Sequence, residues 1–82
     1  MDLQILVKSS FRPISGVDVR ALTTNSWTLR FDRNAQYPKF FRGDLERLLD
    51  GAIFLIDDVE SEPAVMSAVD GRSVTVTVWV LP

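Results

Sequence analysis

The sequence predicts a small α+β domain: a mainly antiparallel sheet of five or six strands with one short helix near residues 38–50. Three observations carry this. Residues 74–81 read Val-Thr-Val-Thr-Val-Trp-Val-Leu, an alternation of period two. They follow Val65–Val69 across Asp70-Gly71, a strong hairpin motif. And only one stretch, around Phe41, Leu45 and Leu48, has helical spacing.

Taken in order, Leu3, Ile5 and Val7 alternate with Gln4, Leu6 and Lys8 and predict a first strand. Phe11 to Gly16 reads as a loop, because Pro13 cannot donate to a ladder and Gly16 admits unusual backbone angles. Val17, Val19 and Ala21 predict a second strand. The polar turn Thr23-Thr24-Asn25-Ser26 then leads to Trp27, Leu29 and Phe31 on a third. These two strands are expected to form a hairpin.

Pro38 suits the first turn of a helix. Gly43 weakens a helix running through it, so a start at Asp44, capping the N–H groups that follow, is the other option. Gly51 marks its end. Ala52 to Ile56 is apolar at every position, as in a strand buried on both faces. Asp57 to Pro63 is an acidic connection before the closing hairpin. The expected order is β-β-β-α-β-β-β, which an open sheet with a helix and a small curved barrel both satisfy. The expected core is Leu3, Ile5, Val7, Val19, Trp27, Leu29, Phe31, Phe41, Leu45, Leu48, Ile53, Leu55, Val74, Val76 and Val78.

The 82 residues suit one domain, 1–82. There is no cysteine and no histidine. That removes disulfides, thiolate nucleophiles, the commonest general base and the commonest zinc ligands. No basic leader and no apolar stretch of membrane-spanning length occurs, so a soluble, cytoplasmic protein is expected. Net charge is −2, unevenly spread. Residues 1–47 carry eight Lys/Arg against five Asp/Glu; residues 48–82 carry one Arg against six Asp/Glu. Two patches of opposite sign are one reading, and solvated faces the blander one.

Function motifs are sparse. No phosphate loop, dinucleotide fingerprint or nucleophile–base pair occurs, so no enzyme and no cofactor is expected. Asp57, Asp58 and Glu60 lack the spacing of a calcium loop and read as an acidic docking element or a solvated loop. Tyr37, Phe40 and Arg42 are the residue types favoured at protein interfaces. Arg33, Lys39 and Arg42, interleaved with those aromatics, could instead serve single-stranded nucleic acid. A pI near 4.8 argues against nucleic acid as the main ligand. Arg42-Gly43-Asp44 spells the integrin tripeptide, a match too short to weigh.

Trp79 and Leu81 share a face with Thr75 and Thr77. Since an antiparallel sheet usually wets one face, they are either covered by the chain or offered to a partner. In size, freedom from cysteine and acidic balance the chain is similar to small accessory proteins of phages and mobile elements, a likeness that implies occlusion of a partner protein's surface. The expectation is a non-enzymatic protein-binding module, an inhibitor or adaptor, with a second copy of the chain as one candidate partner. An accessory subunit of a larger complex is the neighbouring alternative.

Overall fold

In the computed structural model, described for residues 1–38, 41 and 43–82, eight strands form two antiparallel sheets around one helix. The strands are β1 (Leu3–Val7), β2 (Ser10–Pro13), β3 (Asp18–Thr23), β4 (Ser26–Asp32), β5 (Phe54–Ile56), β6 (Val59–Glu60), β7 (Val65–Val69) and β8 (Ser73–Trp79). Helix α1 spans Leu45–Leu49. The first sheet has the order β2-β1-β5-β6 and the second β3-β4-β8-β7. This replaces the expected single sheet of five or six strands. The two additional strands lie where loops were expected, at residues 10–13 and 59–60.

Both are made by tight turns. Lys8 takes a positive φ of 58°, which folds β2 back on β1 with Leu6 opposite Phe11. Pro13 is tolerated because β2 is an edge, where a missing N–H faces no neighbour. Asp57 and Asp58 both adopt positive φ, 48° and 68°, the geometry of a two-residue hairpin turn. They pair Ile56 with Val59. Beyond the turn, Ser61 extends the pairing: its N–H donates to the Phe54 carbonyl, and its buried hydroxyl accepts from the Phe54 N–H.

The second sheet follows its pattern. β3 and β4 form the expected hairpin, with Ala21 opposite Trp27 and a bulge at Leu22. β4 and β8 pair along seven residues from Ser26↔Trp79 to Asp32↔Ser73. The Asp70-Gly71 hairpin closes differently from an Asp-Gly turn with left-handed glycine, since Gly71 does not take a positive φ. The Asp70 carboxylate instead accepts from the N–H groups of Arg72 and Ser73.

Both sheets and the helix share one core. Leu3, Ile5, Phe54 and Ile56 come from the first sheet, Leu29, Phe31, Val74, Val76 and Val78 from the second, and Leu45 and Leu49 from α1. Phe31 sits among Tyr37, Phe41 and Phe54, with ring centroids 5.6–6.3 Å away. Val7, Val19 and Trp27, expected in the core, are half-buried against it.

Three core expectations fail. Leu48 is exposed and Leu49 is buried, because the helix starts at the Asp44 cap and turns its Leu45–Leu49 face inward. Gly43 at φ 119° lies outside the helix. In β5 the inward residues are Phe54 and Ile56 rather than Ile53 and Leu55. A segment apolar at every position carries no alternation to set its face. β5 is nonetheless central in its sheet, as expected.

Candidate interaction surface

The residues singled out from sequence are spread over three places. Trp79 ends β8 opposite Ser26, whereas Arg33 and Tyr37 follow the other end of β4, where Asp32 faces Ser73. Seven paired positions separate those ends, roughly 20 Å at the usual strand rise. Asp57, Asp58 and Glu60 belong to the β5–β6 hairpin of the other sheet. Phe40, Arg42 and Lys39 lie outside the described residues.

Several of these side chains have structural duties. Tyr37 is half-buried, packs edge-on against Phe41 at 5.3 Å, and its hydroxyl accepts from the Asp32 N–H. Burial raises its pKa above the ordinary 10.0; the Asp32 N–H bond opposes that rise, and the Asp32 carboxylate adds to it. Arg33 pairs with Glu46 at 2.7 Å and donates through Nε to the Asp70 carbonyl at 2.8 Å, so it ties α1 to the β7–β8 turn. Asp57 holds the start of the chain: its Oδ1 accepts from the Asp2 N–H and its own N–H donates to the Asp2 carbonyl. Asp44, of the tripeptide at 42–44, accepts from the Glu46 N–H as the helix cap. Asp58 and Glu60 remain exposed on the hairpin. Among the described residues, no cluster of three or more acidic, histidine or cysteine side chains is placed to hold a metal ion.

Trp79 is half-buried and Leu81 is 68% exposed. The Trp79 carbonyl accepts from the Glu62 N–H, and Val80 donates to the Asn25 carbonyl, which fixes the backbone at this end. Register sets the neighbours of Trp79 on the outer face of the second sheet. Arg20, Thr28, Thr77 and Val65 form one transverse row, and Asp18, Arg30 and Thr75 the next. Arg20, Arg30, Thr28, Thr75 and Asp18 line a shallow groove there of about 260 Å³. Asp18 and Arg20 approach to only 3.9 Å with both side chains well exposed, so this pair contributes little.

The final strand β8 is central, between β4 and β7. It therefore offers no free edge to a second molecule. The free edges of the second sheet are β3 and β7. β3 carries Asp18 and Arg20, charges of the kind that deter strand addition. β7, Val-Met-Ser-Ala-Val, carries none, and exposes Val65 at 53% and Val69 at 47%. In the first sheet, β2 holds Arg12 and Pro13, and β6 has two residues, one of them Glu60. β7 is thus the one uncharged edge among the described strands. Sequence reasoning missed it because Val65–Val69 reads as an ordinary hairpin arm; only the sheet order shows that no further strand lies along its far side, where Ala64, just before β7, bonds Gly51 and Ala52.

Compared with protein-family models, curated proteins and solved structures, the chain matches none.

Proposed function

We propose that the protein is a non-enzymatic binding module that docks another protein strand along β7, with Trp79 and the outer face of the second sheet beside the contact. One observation carries this reading. β7 is an edge of five residues without a charge, and its exposed Val65 continues a face that also holds Trp79. An edge strand offers a row of backbone N–H and C=O groups, and main-chain pairing supplies affinity while neighbouring side chains supply selectivity. Trp and Arg are the residue types that most often anchor protein contacts, and Arg20 and Thr28 share the row that ends in Val65. Such a module would act as an inhibitor or adaptor by occluding a partner's surface.

The test compares the wild type with Ala68→Lys, which places a charge on the exposed edge without touching the core. Both are immobilised, challenged with native lysate, and checked for folding by circular dichroism. The reading expects a partner retained by the wild type and lost by the folded variant. Identical captured sets from the two proteins would refute it.

A further inference from the structure

We infer that the outer face of the first sheet is covered by the same face of a second copy of this chain, about a two-fold axis that lies parallel to the sheet and crosses Ile53. This face is separate from the β7 edge, so the inference goes beyond the docking proposed above.

The two outer faces differ in kind. Register fills that of the second sheet with Arg20, Thr28, Thr77, Asp18, Arg30 and Thr75, as a wet face requires. In the first sheet Phe11 faces Leu6, and the Leu6 N–H donates to the Ile53 carbonyl, so these three form one row. The next row is Pro13, Gln4, Leu55 and Glu60. Across both rows the one charge is Glu60, on the edge strand β6. Phe11, Leu6, Ile53 and Leu55 are half-buried, yet none belongs to the shared core or to the side chains packed against it. Their neighbours Ile5, Phe54 and Ile56 fill that core, so β1 and β5 are apolar on both sides. Strands of this kind are normally covered on both faces, and the core covers one.

Charge selects the occupant. Lys8 is exposed at the β1–β2 turn, and Glu60 is exposed on β6, at the diagonally opposite corner. Among the described residues neither side chain takes part in an ion pair. Glu60 is level with Gln4 and two strands away from β1, and Lys8 is four residues beyond Gln4. At ordinary spacings this diagonal is roughly 16 Å long. Its midpoint falls on the β5 side, level with Leu6, which is the place of Ile53. A two-fold axis through that point, perpendicular to the diagonal, brings each Lys8 over Glu60 of the other copy. The same operation sets Ile53 against its counterpart and Leu6 over Leu55 of the second copy. Strands of the two copies then cross near a right angle, one of the two ways in which sheets stack face to face. The contact is isologous: apolar centre meets apolar centre, and each corner meets its opposite charge.

The interface is small. Two rows of a four-stranded sheet bury roughly 300–500 Å² per copy, below the about 800 Å² of a stable interface. A dissociation constant of roughly 0.05–1 mM is therefore expected.

Sedimentation velocity over roughly 5–1000 μM follows the wild type and its variants, each checked for folding by circular dichroism. The wild type should dimerise as concentration rises. Leu6→Thr/Leu55→Thr keeps strand-forming residues but removes the apolar centre, and should weaken the dimer at least ten-fold. Val69→Thr, on the β7 edge, should leave association unchanged. Lys8→Glu and Glu60→Lys each set like charges together at both corners, and each should weaken the dimer about five-fold. Combined, they restore opposite charges and should return association to the wild-type level.

The charge reversals touch no core residue, so they decide the matter even if the threonine pair fails to fold. A wild type that stays monomeric throughout overturns the inference, as does a combined reversal that associates no more tightly than the single ones. Loss of the dimer in Val69→Thr would move the contact to β7 and overturn it too. The docking edge stands or falls separately, by partner capture with Ala68→Lys.

Discussion

The strands of the second sheet span six, seven, seven and five residues; those of the first span four, five, three and two. The long strands specify themselves. β4 and β8 alternate over a full strand length, so their apolar faces leave one register that buries Leu29, Phe31, Val74 and Val76 together. The short strands are instead made by their turns and by the neighbours they meet. β2 exists because Lys8 turns left-handed, and β6 because Asp57 and Asp58 do. A three-residue strand has too few positions to declare a face. Secondary structure is therefore encoded locally in one sheet and imposed by tertiary pairing in the other, although both close on the same core.

The largest test of that shared core is Phe31→Ala against Phe54→Ala, one from each sheet, both fully buried. Each should cost ~3–5 kcal/mol, a large part of the stability of a domain this size. Thermal melts followed by tryptophan fluorescence and by far-ultraviolet dichroism should coincide in each variant; separate transitions would mean that the sheets are independent. Next comes the helix. Leu49→Ala should lose ~2–4 kcal/mol and Leu48→Ala less than about 1, read from urea midpoints. The reverse order would put the other face of α1 inward.

Ser61→Ala sharpens the comparison within the first sheet. It strands the buried Phe54 N–H and should cost about 1–3 kcal/mol, with the loss showing as faster amide exchange in β5. Arg33→Ala is a smaller change in the second sheet. Its ion pair is partly exposed, so about 1 kcal/mol is expected, chiefly from the bond to the Asp70 carbonyl.

The smallest effect is in acid. The N–H groups of Arg72 and then Ser73 hold the Asp70 carboxyl below its ordinary 3.8. A carboxyl lowered in the folded state stabilises fully above that unfolded value, and the contribution is lost as pH falls through the folded one. Asp70→Ala should therefore flatten the acid limb of the Tm–pH curve below about pH 4. An unchanged limb would show that the turn does not depend on the charged form.

The closing hairpin, the β3–β4 hairpin, the Asp44 cap and the Gly51 stop were legible because each has its own local chemistry. β2 and β6 were not, since a lysine or two aspartates at positive φ resemble any polar loop. The faces of β5 and α1 were misjudged for one reason: Ile53 to Ile56 and Leu48-Leu49 offer apolar residues on adjacent rows, and only packing chooses between them. At the candidate surface, residue type misled. Tyr37, Arg33 and Asp57 are interface chemistries that the fold uses internally, and the uncharged edge at β7 depends on strand order, which no local pattern carries.

The central place of β8 has a consequence during synthesis. Ribosomes deliver residues in order, so the β3–β4 hairpin emerges well before the strand that pairs with β4 along its whole length. From Asp32 to Trp79 is 47 residues, 79 minus 32. At about 5–20 residues per second that is a delay of roughly 2–10 s. A hairpin forms in microseconds but is only marginally stable alone, so for this interval Leu29 and Phe31 lack the strand that covers them.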